Sequence, residues 1–229
     1  QTGQSLMIWQ QRQVKCIMET NSKGQWKHMN YCICVSRRNG KGEILAAREM
    51  YGLIYLKEKI CHTAHRTTTS HDAFNRLYAL LKKAGYQEYS RKNKTMGERS
   101  FFASKQYGLE RIEVTGGGVI EFRTRTNNGG LGEGFDLLVI DEAQDLTEGN
   151  FKIFEIMMAL KPTLKLFMVG DPRQNIFEFN GGSYKYLADF MTAHAEESEN
   201  KYLSISYRCP SSVLNFVNSF QNLLMYEIY

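Results

Sequence analysis

The amino-acid sequence predicts an α/β protein in which helices flank a mostly parallel central sheet. Short apolar runs alternate along the chain with longer segments of helical periodicity. This alternation is typical of strands joined by right-handed crossover helices. The chain has 229 residues, 42% of them hydrophobic and 23% charged, which suffices for one substantial α/β core and leaves little for a second complete domain.

The predicted elements follow one another in a simple order. The sequence predicts strands at about 29–35, 59–64, 111–114, 119–123, 137–140, 164–169 and 202–204. It predicts helices at about 5–19, from 44 onward, 69–84, 150–160, 184–194 and 212–224. Gly116-Gly117-Gly118 separates two strands and is a hairpin signal, whereas 87–105 is polar and without periodicity and is predicted to be a surface excursion.

The most informative stretch is a buried strand that ends in acids. The apolar run from Leu137 to Ile140 is followed at once by Asp141 and Glu142. A parallel strand that is covered on both faces is continuously apolar, so this run delivers the acids to a sheet edge in the Walker B arrangement of a P-loop ATPase. Asp141 would hold Mg²⁺, directly or through water, and Glu142 would orient and deprotonate the attacking water. The alternative is a strand that ends in a solvated acidic turn.

A second stretch predicts a phosphate-binding turn in a variant form. A strand-like segment at 32–35 leads through a polar turn into a helix, so the free N–H groups of the first helical turn and the helix dipole would face an anion. The pattern G-x-x-x-x-G-K-[ST] is incomplete, because Val35 replaces the first glycine and Gly42 replaces the hydroxyl residue that normally reaches Mg²⁺. The candidate nucleotide-binding residues in this turn are Arg38, Asn39, Gly40, Lys41, Gly42 and Glu43.

Lys41 and Asp141 each follow a predicted strand, and this pairing favours a shared ATP site, with Lys41 contacting the β- and γ-phosphates. A basic turn without a ligand is the alternative. Trp9 and Gln10 are candidates to flank the adenine, since an aromatic face can stack on the base and an amide can pair with its edge. A tryptophan that caps the core explains Trp9 equally simply.

Composition limits the other functions. No apolar run approaches the roughly 18 residues that a membrane span needs, and the amino terminus lacks a basic-then-apolar leader pattern. The five cysteines are scattered and odd in number, which favours a reduced cytosolic protein without structural zinc. The net charge of +5 is compatible with nucleic acid but argues for it only weakly. A basic patch of Lys82, Lys83, Arg91, Lys92 and Lys94 could track phosphates, although a solvated face is the simpler interpretation.

From about residue 5 to 145 the chain resembles the ATPase domain of tailed-phage terminase large subunits. The resemblance rests on Trp9-Gln10 and on the stretches SRRNGKGEILAAREMYGL (36–53), HTAHRTTTSHDAF (62–74) and FRTRTNNGGLGEGFDLLVIDEAQ (122–144). It implies a RecA-like P-loop NTPase (ASCE) fold and an arginine-rich phosphate loop, in which Arg37 and Arg38 neutralise phosphate charge or stabilise the transition state.

From about residue 137 to 229 the chain also resembles UvrD/Rep-type superfamily 1 helicases. DEAQD (141–145) suits both families, whereas LFMVGDPRQNIFEFNGG (166–182) and YLSISYRCPSSVLNFV (202–217) are similar to the third and fourth helicase motifs. By this resemblance Gln174 and Arg208 would sense and stabilise the γ-phosphate. Likeness to both families also implies that Thr63, His65 and Arg66, at a predicted strand end, couple the site to DNA.

Together these features predict a Mg²⁺-dependent ATPase motor acting on DNA, most like a DNA-packaging terminase, with a superfamily 1 helicase fragment as the alternative. A nucleotide-binding or chimeric module without hydrolysis is a third interpretation. The expected organisation is a RecA-like ATPase domain over 1–200 and the start of a truncated second domain or an extension over 201–229. The resemblance implies DNA, the phage portal and the small terminase subunit as partners, a homo-oligomeric ring for the full-length protein, and the bacterial or phage-infected host cytoplasm as its location. The lack of a long apolar run predicts that no membrane is involved.

Overall fold

The computed structural model describes residues 5–35, 39–90, 97–125, 134–171, 183–203, 210–213, 215, 216 and 219. Within this part of the chain nine strands form one sheet, in the order β3-β4-β5-β6-β2-β7-β8-β1-β9. The strands are β1 (Asn30–Cys34), β2 (Lys59–Ala64), β3 (Gln87–Glu88), β4 (Ser100–Ser104), β5 (Glu110–Val114), β6 (Val119–Thr124), β7 (Leu137–Asp141), β8 (Lys165–Gly170) and β9 (Ser198–Tyr202). The α-helices are α1 (Ile8–Ile17), α2 (Lys41–Tyr51), α3 (Thr67–Lys83), α4 (Glu148–Leu160) and α5 (Tyr184–Ala193). Gly52–Leu56 extends α2 as a π-helical turn, and short 3₁₀ turns cover Ala143–Asp145 and Ala195–Glu197.

The centre of the sheet is parallel and its far side is not. The neighbours from β6 through β2, β7, β8 and β1 to β9 all pair in parallel, so their carboxyl ends share one edge of the sheet. β5 is antiparallel to both β4 and β6. The predicted hairpin around Gly116-Gly117-Gly118 is therefore confirmed, and it enlarges the sheet away from the acidic strand.

Both faces of the sheet are covered, as the apolar runs predict. Tyr31 and Ile33 of β1 pack into the hydrophobic cluster that includes α1, α2 and α3, whereas Cys32 and Cys34 pack into the cluster that includes α4 and α5. β7 alternates in the same way, and every one of its residues is buried. Burial on both faces fixes the register and direction of β7 in the sheet, and thereby the position of the acids at its end.

Two parts of the predicted secondary structure are corrected. The segment 87–105 is not only a surface excursion, because β3 and β4 lie within it and Phe101 is fully buried. The last strand of the sheet is Ser198–Tyr202, not 202–204, and it pairs in parallel with β1. β3 and β9 carry too few apolar residues to produce a clear pattern, and the apolar run of β4 is only three residues long. The other predicted elements are confirmed to within a few residues at each end, except the final helix at about 212–224, which lies largely outside the described residues.

Among the described residues no helix is both long and apolar enough to cross a bilayer.

Candidate functional site

The acidic end of β7 lies at the carboxyl edge of the sheet, between β2 and β8. Asp141 is the last residue of β7 and is 6% exposed. Glu142 follows with φ 55° and ψ 52°, in the left-handed region that non-glycine residues seldom occupy. Its conformation turns the chain sharply at the strand end. Such backbone conformations persist only where surrounding contacts hold them.

Lys41 lies at the same carboxyl edge of the sheet and contacts both acids. Gly40 takes a left-handed conformation (φ 81°) and caps the amino end of α2, so that Lys41 is the first residue of the helix. The Lys41 Nζ atom lies 2.8 Å from Asp141 Oδ1 and 2.6 Å from Glu142 Oε1. Lys41 and Glu142 are 101 positions apart in the sequence. The lysine and acidic pair that the sequence analysis singled out therefore meet in space.

Burial and the charges of neighbouring groups have opposing effects on the pKa values of Lys41 and Asp141. Burial lowers the pKa of Lys41, but the carboxylates of Asp141 and Glu142 outweigh it and leave the pKa raised. Burial likewise raises the pKa of Asp141, and the Lys41 ammonium group outweighs it, so the pKa of Asp141 is lowered. Lys41 and Asp141 are thus both charged near neutral pH.

A cavity of about 290 Å³ opens onto this cluster between α2 and α3. Its lining includes the first residues of α2, the acidic pair and part of α3, namely Gly40, Lys41, Gly42, Glu43, Asp72, Arg76, Asp141 and Glu142. The amino end of a helix presents N–H groups and a positive dipole, which together favour an anion. The cavity therefore combines an anion-binding helix end with an acidic pair that favours a cation.

Two side chains hold the strained turn at Glu142. Arg125, just after β6, donates from Nη1 to the Asp141 carbonyl oxygen at 2.7 Å and from Nη2 to the Glu142 carbonyl oxygen at 3.0 Å. Gln144 donates from Nε2 to Glu142 Oε2 at 2.6 Å and accepts from the backbone N–H of Asp171 at 3.0 Å. Backbone and carboxylate of Glu142 are therefore both fixed, and Gln144 ties them to the end of β8.

The Arg125 guanidinium group is buried close to three acidic side chains. Burial lowers its pKa to about 10, although Asp141, Asp145 and Glu142 act in the opposite direction. A guanidinium with that pKa is still charged at neutral pH. Because its hydrogen bonds go to backbone carbonyls, it positions the turn and leaves the carboxylates of Asp141 and Glu142 to the cavity.

A buried histidine–glutamate pair lies behind the cluster. His62 of β2 is fully buried, and its Nδ1 lies 2.6 Å from Glu49 Oε1 on α2. Burial lowers the pKa of His62, but Glu49 outweighs it and the pKa is raised. The pair joins α2 to β2. Its role is to fix the relative position of these two elements.

Gln10 and Trp9, the two residues predicted to flank the adenine, contact neighbouring groups of the protein. The Gln10 amide donates from Nε2 to the Gly40 carbonyl oxygen at 3.0 Å and accepts from the Met7 N–H at 2.8 Å. Trp9 packs against the cluster between α1 and the sheet. Gln10 thus connects α1 to the predicted phosphate-binding turn at Gly40. The role of these two residues at the adenine remains a proposal.

The residues predicted to couple to DNA are partly engaged elsewhere. Thr63 is buried inside β2 and donates its hydroxyl hydrogen to the Val139 carbonyl oxygen at 3.2 Å. His65 is partly buried and burial lowers its pKa, while Arg66 is exposed at the start of α3. Of the three, His65 and Arg66 have the accessibility that contact with DNA requires.

Several predicted site residues lie outside the described residues: Arg37, Arg38, Gln174 and Arg208. Asn39 is buried and Glu43 is partly exposed, and both lie in or next to the first turn of α2. In the basic patch, Lys82 is paired with Glu88 at 3.7 Å and lies 5.7 Å from the centre of the Tyr78 ring, and Arg91, Lys92 and Lys94 are likewise outside the described residues.

The donor set fits Mg²⁺ bound together with a phosphate better than a metal held by protein alone. Asp141 offers a buried carboxylate at the cavity, and among the described residues no group of three or more His, Cys, Asp or Glu side chains could hold a metal ion. Mg²⁺ is usually bound by one or two carboxylates, with water and substrate phosphates completing its coordination. One carboxylate beside an anion-binding helix end meets that requirement.

Comparison with known proteins gives two different likenesses. The model of the UvrD/REP helicase N-terminal domain matches residues 126–195. The RecB subunit of the RecBCD enzyme of Chlamydia pneumoniae is 33% identical over 91 residues, which is 38% of this chain and 8% of RecB. RecB of Escherichia coli is 30% identical over 84 residues, 37% of this chain and 7% of that protein. The chain thus spans less than a tenth of the curated relatives it matches.

The structural likeness is to terminases. The large terminase of bacteriophage HK97 superposes with a TM-score of 0.60 at 11% sequence identity, covering 90% of this chain and 41% of that chain. A large terminase from a thermophilic bacteriophage, solved in complex with ADP, gives a TM-score of 0.57 at 12% identity, covering 89% of this chain and 48% of that chain. At these identities the likeness establishes the fold, which is that of a RecA-like ATPase domain, as the sequence predicts.

Sequence reasoning missed Arg125, the Gln144 bridge and the His62–Glu49 pair. A usable signal exists for Arg125, since it directly follows a parallel strand and polar residues at such ends gather at one edge. The other contacts depend on which strands are neighbours and on side-chain direction. Neither can be deduced from spacing in a single sequence.

Proposed function

We propose that this chain is the Mg²⁺-dependent ATPase motor domain of a protein that moves along DNA, most like the DNA-packaging ATPase of a phage terminase large subunit. The observation that carries the proposal is the contact of Lys41 Nζ with both Asp141 and Glu142 at the carboxyl edge of the sheet. Ligands of open α/β sheets bind at this edge. The RecA-like fold and its likeness to terminases support the same conclusion.

In the proposed site the triphosphate lies in the cavity at the amino end of α2. Lys41 contacts the β- and γ-phosphates, and the first N–H groups of α2 bind the remaining phosphate oxygens. Asp141 holds Mg²⁺, which when bound neutralises charge on the β- and γ-phosphates. Glu142 orients the attacking water and accepts its proton, and Arg125 and Gln144 keep Glu142 in place. Catalysis then comes from positioning and charge neutralisation.

The roles of residues outside the described part of the chain remain part of the proposal. Arg37 and Arg38 would add positive charge from within the phosphate-binding turn, and Gln174 and Arg208 would contact the γ-phosphate. DNA would be the substrate track, coupled through His65 and Arg66. The portal, the small terminase subunit and a homo-oligomeric ring are the expected partners of the terminase form. The proposed ATPase domain covers about residues 1–200, and β9, which pairs with β1, lies at its carboxyl-terminal boundary.

The second candidate is a superfamily 1 DNA helicase fragment. The match of residues 126–195 to the UvrD/REP helicase N-terminal domain and the 33% identity to RecB favour it. The site and mechanism of ATP hydrolysis would be the same in both candidates, but the form of DNA on which they act would differ. A packaging motor acts on duplex DNA, whereas a helicase prefers single strands, on which aromatic stacking contributes to affinity.

DNA-stimulated ATPase activity separates the candidates. The wild-type chain should hydrolyse ATP in the presence of Mg²⁺, and Lys41→Ala should abolish hydrolysis. Stronger stimulation by duplex than by single-stranded DNA supports the terminase-type motor, and the reverse order supports the helicase. Binding of ATP without release of phosphate under any of these conditions would identify a nucleotide-binding module that does not hydrolyse, and would overturn the motor proposal.

A further inference from the structure

Gly42 occupies the position at which a phosphate-binding turn normally carries serine or threonine, and a side chain from another helix fills the vacated volume. A Cβ atom built on Gly42 would lie 1.6 Å from Arg76 Nη1 and 2.7 Å from Arg76 Cζ. Any L-residue at position 42 would therefore have to displace the guanidinium group. The glycine and the arginine are complementary in shape across the α2–α3 contact.

The guanidinium enters the proposed nucleotide site itself. Gly42 directly follows Lys41 in the first turn of α2. Arg76 and Gly42 line the same cavity as Lys41, Asp141 and Glu142. Arg76 thus adds a positive charge to a cavity whose lining already contains Lys41.

The present partner of Arg76 binds it only loosely. Arg76 Nη1 lies 3.7 Å from Glu43 Oε1, which is longer than a hydrogen bond, and the two side chains are 43% and 35% exposed. Ion pairs between exposed side chains contribute little, because solvent screens them. If a bound anion of larger charge replaced Glu43 as the ionic partner of Arg76, little interaction energy would therefore be lost.

We propose that Arg76 contacts the polyphosphate of the bound nucleotide and takes the place of the missing hydroxyl residue beside Lys41. This inference rests on the proposed function of the site. A guanidinium cannot ligate a metal, but its fork of N–H donors matches phosphate oxygens in a bidentate geometry. The arginine adds positive charge where the hydroxyl residue is missing, and Asp141 remains the residue that would hold Mg²⁺.

Calorimetric binding of ATP and AMP tests the proposal without relying on turnover. Arg76→Ala should weaken ATP binding by about 10- to 100-fold, the range expected for lost hydrogen bonds between charged groups, and should leave AMP binding nearly unchanged. Arg76→Lys should fall between, because a point charge remains and the fork is lost. Lys152→Ala, an exposed lysine on α4 that does not line the cavity, is the control and should bind both nucleotides as the wild type does.

The close contact between Gly42 and Arg76 also predicts the effect of a substitution at Gly42. Gly42→Ala should weaken ATP binding much as Arg76→Ala does, since the added methyl group displaces the guanidinium, and the double variant should be no weaker than either single one. Arg76 is substantially exposed, so folding should persist and is checked by the melting temperature of each variant without nucleotide. ATP binding by Arg76→Ala within twofold of the wild type, or fully additive effects of the two substitutions, would overturn the inference.

Lys41→Ala separates this inference from the proposed function. If Lys41→Ala binds ATP as tightly as the wild type, the nucleotide site itself is misassigned and both proposals fail. If Lys41→Ala loses ATP binding while Arg76→Ala keeps it, the site stands and only the role of Arg76 is overturned.

Discussion

Two clusters of buried charge lie at opposite edges of the same sheet. At the carboxyl edge Lys41 meets two acids beside a cavity. At the amino edge Arg48 forms a two-pronged ion pair with Glu58, with distances of 2.7 and 2.8 Å, and Lys165 at the start of β8 lies 4.0 Å from the centre of the Trp26 ring. Arg48 and Lys165 are essentially inaccessible to solvent.

The two clusters differ in what completes them. The amino-edge cluster is closed by protein: Arg48 also lies 5.5 Å from the Trp26 ring centre, and Lys165 donates to the Ile17 carbonyl oxygen. The carboxyl-edge cluster instead opens on a cavity. Buried charge by itself is therefore no sign of function. The informative feature is space for a ligand beside the charged groups.

The largest expected effect is on catalysis at the carboxyl edge. Glu142→Gln should lower ATP turnover by about 10²- to 10⁴-fold, because the amide cannot accept the proton of the attacking water, while ATP binding persists. Single-turnover hydrolysis measures the chemical step directly. Glu148→Gln, an exposed acid on α4, is the control and should leave the rate unchanged. Equal rates for Glu142→Gln and wild type would remove Glu142 from the chemistry.

The largest expected effect at the amino edge is on stability. Arg48→Met should destabilise the fold by about 3–5 kcal/mol, since it leaves the Glu58 carboxylate buried without its partner. Urea unfolding measures the loss. Lys152→Met breaks an exposed ion pair with Glu148 and should produce no resolvable change. If Arg48→Met were as stable as Lys152→Met, the amino-edge cluster would not be a structural element.

Lys165 gives the amino edge a dependence on pH. Burial lowers the pKa of Lys165 from 10.5 to about 7, with Arg48 adding to the shift and Glu58 opposing it. Between these values the unfolded chain binds a proton that the folded chain does not, so this lysine makes the fold more stable as the pH rises from about 7, by up to about 1.4 kcal/mol per pH unit. Unfolding free energies at several pH values should show this slope in the wild type.

Lys165→Met should abolish that slope. The exposed lysine at the start of β2 provides the control, because Lys59→Met should leave the pH dependence as it is in the wild type. A slope that survives in Lys165→Met would have to come from other groups, and the lowered pKa of Lys165 would then be wrong.

The smallest expected effect concerns positioning. Arg125→Lys should lower kcat by about tenfold and leave KM for ATP nearly unchanged, since one ammonium group cannot hold the carbonyls of Asp141 and Glu142 as a fork does. Steady-state kinetics measure both constants. Arg123→Lys, two residues earlier in β6, is the matched control. A change in KM alone would indicate that Arg125 acts on nucleotide binding and not on the turn at Glu142.

Sequence alone identified the carboxyl-edge cluster but not the amino-edge one. Asp141 and Glu142 lie at the end of an apolar strand and Lys41 follows another after a short turn, so the pattern of the chain predicted that they would share an edge. Arg48, Glu58, Trp26 and Lys165 belong to elements that become neighbours only in the folded sheet. β9 was misplaced for a similar reason, because an edge strand with the sequence Ser-Glu-Asn-Lys-Tyr carries no apolar pattern.

The nucleotide-dependent shift in melting temperature tests the contrast between the two edges most directly. A ligand that binds the folded state stabilises it, by about 2.7 kcal/mol at one hundred times its Kd. ATP with Mg²⁺ should raise the melting temperature of the wild type and of Lys165→Met alike, and should leave that of Lys41→Ala unchanged. An undiminished ATP shift in Lys41→Ala would contradict the assignment of the carboxyl edge as the nucleotide site.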